Sequence, residues 1–508
     1  MATEKKIDSN VTGLRIAEEE SLGVLPSTPD WIPKEPNGYS EFGGQITTVA
    51  RSPINPSRQR KKGVAVDLDA SAGYGTDLTQ ENMQKDLQGF FFADLRTKAE
   101  LSVAIVEGTL EEFQPTAGGD AYSASDLLFA KNFTDPGANG LHTVSGVPAA
   151  ASVPVTADLP DLTGEAGTIS RVGFEFASAD AAIDDTGSFP ALTATIKDLT
   201  TLGLIVGEWV FIGGDAAGNQ FDTAASNGFA RVRKIAAGRI DFDKTQGTMV
   251  TDAGAGKTIH IFFGRVLKNE LGALIKRRSY QGERTLGAVD NALPSEIQAE
   301  YIVGMVANEL SLNIPSADKL TVDLSYLGID NEQLTGAAGV KTGNRPGIVE
   351  ADAFNTSSDF SRIKLAVVDD TNAAPVPLFA FGTDFAVTIN NGAEALKAVG
   401  VFGGFDISVG NFEVGGSITA YFADIAAVAA VRNNSDITLD MQIVKNNQGI
   451  TIDFPLLSLG DGRLSVEQDQ AIKLPLTTEA ASGSKIDANL DYTALMVFWD
   501  YLPDLADL

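Results

Sequence analysis

The chain has 508 residues, 44% apolar and 21% charged, with 67 acidic against 38 basic side chains, two histidines and no cysteine. This is the composition of a folded chain with a large core, and it excludes thiol nucleophiles, disulfide frameworks, iron–sulfur clusters and Cys-type or three-His zinc sites. A formal charge of −29 argues against wrapping nucleic acid, which works by releasing counterions to Lys and Arg clusters, and suits either an acidic wall past which DNA slides or a high-salt habitat.

At the N-terminus Lys5 and Lys6 have no apolar core behind them, so no secretory signal is expected, and residues 1–25 read as an arm that orders on assembly. No apolar run approaches the roughly 20 residues that cross a bilayer. The stretch Ala426 to Val431 is closed by Asp424 and Arg432, and neither membrane contact nor a lipid anchor is expected. Alternation predicts strands at Val64 to Asp69, Thr321 to Tyr326, Phe385 to Ile389, Ile437 to Ile443 and Ile450 to Phe454. Asn390-Asn391-Gly392, Asn446-Asn447-Gln448-Gly449 and Gly460-Asp461-Gly462 supply turn residues that tolerate positive φ. Helical spacing is confined to Asn82 to Leu95 and Asp424 to Val431. Gly146 to Pro160 and Thr335 to Gly347 read as linkers, being rich in Pro, Gly, Ala and Thr without periodic apolar residues.

An internal repeat organises these elements. Phe92-Ala93-Asp94-Leu95 aligns with Phe422-Ala423-Asp424-Ile425, and Asp77-Leu78-Thr79 with Asp406-Ile407-Ser408. Further on, Leu310-Ser311-Leu312 and Ala317, Lys319 and Leu320 align with Leu464-Ser465-Val466 and Ala471, Lys473 and Leu474, at a much smaller offset. The first copy is therefore interrupted. The expected fold is all-β: duplicated β-sandwich units with one minor helix each, plus an inserted small β-domain. The expected divisions are an arm at 1–25, a first unit at 26–115 with 267–334, an inserted β-rich decoration domain at 116–266, and a second unit at 335–508. A ring of three such chains would present pseudo-sixfold symmetry.

No catalytic constellation emerges. Ala253-Gly254-Ala255-Gly256-Lys257-Thr258 resembles the end of a P-loop, but Thr251 stands where its first glycine belongs, and a strand pattern through His260 follows. Asp67-Leu68-Asp69 and Gly213-Gly214-Asp215 lack the rest of a calcium loop, and Asp184-Asp185 and Asp369-Asp370 lack an acid/base partner. No enzyme activity, metal or cofactor is expected. Basic runs lie at Arg58-Gln59-Arg60-Lys61-Lys62, Arg231-Val232-Arg233-Lys234 and Lys276-Arg277-Arg278. On so acidic a protein they read as solvated loops or as docking points for a neighbouring copy, and Arg58, Arg60, Lys61, Lys62, Lys276, Arg277 and Arg278 are the candidate inter-subunit or inter-ring contacts.

Several segments together resemble the major tail tube proteins of long-tailed, non-contractile bacteriophages (the siphovirus type). Glu20 to Pro26, Arg51-Ser52-Pro53-Ile54 and Val64 to Gly75 are similar to that family's opening. Ser279 to Arg284 and Tyr301 to Leu312 are similar to its central stretch, and Gly416 to Asp424, Ile450 to Leu459 and Asp491 to Trp499 to its end. Leu204 to Gly214, Asn227 to Val232 and Asp252 to Gly254 resemble a small β-domain often inserted in these proteins. The resemblance implies tail-tube β-sandwiches whose inner strands join between neighbours into a barrel, rings that stack with an arm or loop reaching the next ring, and an inserted domain decorating the outside. It implies self-assembly, as a trimeric ring first and a hexameric ring second. Tape measure, terminator and distal tail proteins would be partners, and double-stranded DNA would pass through the lumen without specific binding. It places the protein in the virion tail, made in the host bacterial cytoplasm. An acidic extracellular, surface-layer or adhesion β-protein is the alternative, and a glycan-cleaving β-enzyme is third.

Overall fold

The computed structural model describes residues 7–54, 56–287, 297–379 and 381–504. The fold is all-β, with α-helix confined among these residues to two short segments. β1 (Gly13–Glu18) and β2 (Ile32–Lys34) precede a long hairpin of β3 (Gly38–Arg51) and β4 (Lys61–Asp77), and α1 (Gln84–Phe91) follows. The helical spacing read from the sequence places Met83, Leu87, Phe90 and Phe91 in the core, and Phe92 ends the helix in a left-handed conformation at φ 47. Residues 13–18, expected in a loose arm, are a paired strand: β1 runs antiparallel to both β2 and β18 (Tyr280–Gly287).

The chain then leaves the main body and returns at one point, where Arg96 and Val266 exchange backbone hydrogen bonds of 2.8 and 3.0 Å. Between them lie β5 (Glu100–Glu107), β6 (Glu112–Pro115), β7 (Asp126–Lys131), β8 (Gly140–Thr143), β9 (Val153–Pro154) and β10 (Leu162–Glu175). β11 (Ala181–Asp184), β12 (Ala191–Ala194), β13 (Trp209–Ile212), β14 (Gly228–Ala236), β15 (Arg239–Thr245) and β16 (His260–Phe263) complete a separate 12-stranded sheet. β5 and β6, expected in the first unit, pair into this sheet, because residues 100–107 have their antiparallel partner in β10. The expected linker at 146–160 is also part of it, with Val153 and Val155 buried beside Phe113. The sheet contains a likeness of its own that the sequence reading missed. Asn139 clamps Phe133 by accepting its N–H at 3.0 Å and donating to its carbonyl at 2.8 Å, and Asn227 clamps Phe221 likewise at 2.9 and 2.9 Å. Each clamp is followed by a glycine at positive φ, Gly140 (118°) and Gly228 (108°), which opens the next strand.

The main body resumes with β17 (Arg265–Lys268), β18, β19 (Gln298–Ile314), β20 (Thr321–Gly328) and β21 (Asp330–Thr335). After a crossing segment come β22 (Phe360–Val367), β23 (Gly382–Asn390), the small pair β24 (Glu394–Leu396) and β25 (Asp406–Ser408), and β26 (Glu413–Tyr421). α2 (Ala426–Arg432), β27 (Ile437–Lys445), β28 (Gln448–Asp461), β29 (Lys473–Ala481) and β30 (Leu495–Trp499) end the chain's described elements. The Asn446-Asn447 turn forms as expected, with φ of 51° and 60° between paired Lys445 and Gln448. Asn390-Asn391-Gly392 instead opens the long excursion through β24 and β25.

Strand pairing repeats itself. β3–β4–β20–β19 is one run and β23–β26–β29–β28 another, each with its helix after the second strand, and the two join where Glu309 to Ile314 of β19 pair with Asn390 to Phe385 of β23. Matching backbone bonds, Leu78 N–H to Leu320 O and Phe422 N–H to Ile472 O, set Leu78 against Phe422 and Leu320 against Ile472. The alignments drawn from sequence therefore change. Phe92 to Leu95 follow α1 whereas Phe422 to Ile425 precede α2, and Asp406 to Ser408 lie in β25 rather than in a counterpart of β4. Short motifs in alternating strands match by chance, whereas pairing partners do not. Side chains from both runs, from α1 and α2, and from the outer strands β1, β22 and β27 share one apolar core.

Candidate assembly surfaces

One face of the joined run packs into that core through Leu68, Tyr74, Leu312, Leu324, Val387 and Ile418. Period-two alternation turns the other face to solvent, and it carries Asp69, Glu309, Asp323, Asp384, Glu413 and Glu479, all exposed. Small residues fill the rows between them: Ser71 and Gly73 on β4, Ser311 on β19, Ser417 on β26 and Ser458 on β28. The result is a smooth acidic surface. The run has two edges. β3 pairs only with β4, and Ser458 to Asp461 of β28 pair only with β29 among the described residues.

The β3–β4 hairpin extends beyond the core. Ile46, opposite buried Leu68, and Val66 are 56 and 46% exposed, and beyond the register shift between Thr47 and Thr48 the paired Val49 and Val64 are 53 and 54% exposed. The turn carries Arg58 and Arg60, and Lys61 and Lys62 open β4, all of them exposed. The corresponding connection in the second run does not project. Lys397 pairs with Asp67 and Asp69 of β4, and Gly404 N–H reaches Ile329 O at 3.1 Å, so it folds back onto the first run.

The other basic runs lie differently. Lys276 pairs with Asp94, Arg277 with Asp406, and Arg278 with Glu18 and Asp94, all within the chain. Arg231 is 2% exposed, bound to Asp243 at 2.7 Å and to Asp453 at 3.0 Å. It belongs to a buried cluster in which Asp440 receives Lys244 and Arg362, each at 2.5 Å. Burial works to raise the Asp440 carboxyl, but these two cations hold it below the usual range. The cluster explains why polar residues alternate with apolar ones in β27 and β28 and yet are hidden. Thr438, Asp440, Gln442, Thr451 and Asp453 face away from the core, and the inserted sheet, through Arg231 of β14 and Lys244 of β15, covers them. The inserted sheet thus packs on the side opposite the acidic face. Sequence reasoning missed this docking because acidic alternation on a strand reads equally as solvent exposure.

His260 is a packed strand residue, its Nε2 2.9 Å from Glu175. Asp67 and Asp69 share Lys397, Asp184 pairs with Arg239, and Asp215 accepts the Tyr501 hydroxyl at 2.6 Å. Among the described residues no group of acidic or His side chains could hold a metal ion, and no helix is long and apolar enough to cross a membrane.

No curated protein sequence matches the chain. A family described as phage tail tube protein matches residues 9–494, nearly the whole chain. With its all-β body, its smooth acidic face and its free strand edges, the chain belongs to the phage tail tube protein family and is a structural tail subunit.

Proposed function

We propose that copies of this chain close laterally into rings and that the rings stack into the tube through which the phage genome is delivered. The observation that carries this reading is the pairing of β19 with β23. In the repeated order β28 is the counterpart of β19 and β3 the counterpart of β23, so the free edge of β28 is matched to the free edge of β3 in the next copy. Lateral pairing uses edges that would otherwise invite uncontrolled aggregation, and closure makes it finite. On this reading the domain plan is two tail-tube units, the first interrupted by the inserted sheet near Arg96 and Val266, and three chains form a pseudo-sixfold ring.

The acidic face then lines the lumen. Carboxylates repel DNA phosphates and small hydroxyl-bearing side chains offer few grips, so DNA slides. The inserted sheet, on the opposite side, decorates the exterior where a contractile sheath would lie, which favours a long non-contractile tail. Tape measure protein inside, and terminator and distal tail proteins at the two ends, are the partners of such a tube, and synthesis in the host cytoplasm supplies it.

Electron microscopy of the concentrated protein, viewed end-on, tests the ring. Hollow rings with threefold modulation of a sixfold rim are expected. Plain sixfold rings would refute the trimer, and persistent monomers would refute ring closure. Because the chain has no cysteine, a variant carrying Gln45→Cys in β3 and Gly460→Cys in β28 should give a disulfide-linked series that ends at the trimer. In assembled virions, Asp69→Lys with Asp323→Lys should slow DNA ejection, and unchanged ejection would refute the acidic lining.

A further inference from the structure

We propose that the cleft between the inserted sheet and the main body binds a linear polyamine, its ammonium groups received by carboxylates of the rim and its methylene segments lying on apolar side chains. Such binding is independent of ring closure.

The cleft has a volume of 720 Å³. Small-molecule sites span about 300–1,000 Å³ and favour junctions between domains. The bend after β4 contributes Gln80 and Glu81, β7 of the inserted sheet contributes Phe129 and Lys131, and the crossing segment before β22 contributes Glu350 and Asp352, with the β27–β28 turn closing the far side. These walls are tied together. Lys131 spans the junction to Glu81 at 2.6 Å, and the Asn446 amide donates to Asp352 at 3.1 Å. Phe354 of the crossing segment accepts Leu320 N–H at 2.9 Å and donates to Leu78 O at 3.0 Å. The cleft is therefore formed before any ligand arrives.

Its charges are unbalanced. Lys131 is matched by Glu81, and Lys445 by the Ala353 carbonyl at 2.8 Å and by Asp359 at 3.6 Å. Glu35 and Glu350 also line the cleft, both exposed, and their carboxylates have no partner among the described residues, while Asp352 has the Asn446 amide but no cation. Within the wall Gln80, 4% exposed, donates its Nε2 hydrogen to the Trp499 carbonyl at 3.1 Å, while its Oε1 is buried with no partner. A buried acceptor without a donor is uncommon, and here it adds to a lining already rich in acceptors. The ligand that answers such a lining is positive and rich in N–H donors. Its charge is also spread out. No group of three acidic side chains among the described residues could hold a metal ion, so a divalent cation would meet these carboxylates singly, whereas ammonium groups spaced along a chain meet several at once. The partly buried Phe129 ring and exposed Val349 give the intervening methylenes apolar surface, as lysine stems use it elsewhere in proteins.

Isothermal titration calorimetry of the full-length chain with spermidine, in about 0.15 M salt to screen general attraction to an acidic protein, should show one saturable site per chain. Putrescine, with fewer ammonium groups, should bind more weakly, and magnesium ions more weakly still. Glu35→Gln with Glu350→Gln should weaken spermidine about tenfold or more, and the same charge removal on the acidic face, Glu413→Gln with Glu479→Gln, should leave it within about twofold. All four side chains are exposed, and unchanged melting without ligand checks the fold of each variant. Spermidine should raise the melting temperature of the parent chain more than that of the cleft variant, because a ligand held only by the folded state stabilises it. Absence of saturable binding, or an equal loss in both variants, would overturn the site and leave only general attraction to acidic surface. Displacement of spermidine by magnesium at equal concentration would overturn the match to spaced charges.

Discussion

Replacing Asp440 by alanine should unfold the contact between the inserted sheet and the main body more readily than any surface change. The carboxylate is fully buried and holds Lys244 and Arg362 at 2.5 Å each. Without it, Lys244 keeps the Thr438 hydroxyl at 2.8 Å and Asp453 at 3.8 Å, while Arg362 keeps the Thr245 carbonyl at 2.9 Å. One buried positive charge is left uncompensated, and breaking a buried pair from one side costs about 3–5 kcal/mol. A domain's whole stability is about 5–15 kcal/mol, so the loss is large. Urea denaturation followed by tryptophan fluorescence reads it directly, because Trp209 lies beneath Lys244 and Arg362, at 5.6 and 5.7 Å from its ring. Lys485→Ala breaks an exposed pair with Asp436 and serves as control, with an expected cost of about 0–1 kcal/mol. Adding Lys244→Met to Asp440→Ala should recover part of the loss by removing the stranded charge. A cost for Asp440→Ala no greater than the control would refute the argument that this cluster holds the two sheets together.

Gly304 sits where β19 breaks register against β18, at φ 64, and a Cβ there would lie 2.6 Å from Ile329 Cγ1. Gly304→Ala should therefore cost about 1–2 kcal/mol in the denaturation midpoint, and a neutral result would refute the requirement for a left-handed residue. Asn139→Ala and Asn227→Ala each remove a side chain that satisfies backbone groups of a buried corner, and each should cost about 1–3 kcal/mol, separately and additively. Burial, with nearby Arg362, pushes the Lys364 ammonium down to about 8. Its proton leaves the folded chain near that pH and the unfolded chain only near the ordinary value, so the unfolded state binds more protons between them and stability from this group rises with pH across that window. Lys364→Met should flatten the rise between pH 8 and pH 10, and an identical pH profile in both proteins would refute the assignment.

Alternation and turn residues were enough to read the strands at Val64, Thr321, Phe385, Ile437 and Ile450, both helices, and the Asn446-Asn447 turn, because these features are written in local spacing. The acidic surplus, the missing cysteines and the projecting cations at Arg58 to Lys62 were equally local. What tertiary structure decided was which strands pair. That choice moved residues 100–115 into the inserted sheet, drew β1 out of the expected arm, shifted the repeat into a new register, and buried Arg231 beneath an acidic strand face. Pairing joins residues hundreds of positions apart, and the free energy of a strand depends on the neighbour that satisfies its backbone. A sequence therefore specifies that Asp440 alternates with Leu439 and Met441, while only the packed inserted sheet determines that it meets Lys244 and Arg362 instead of water.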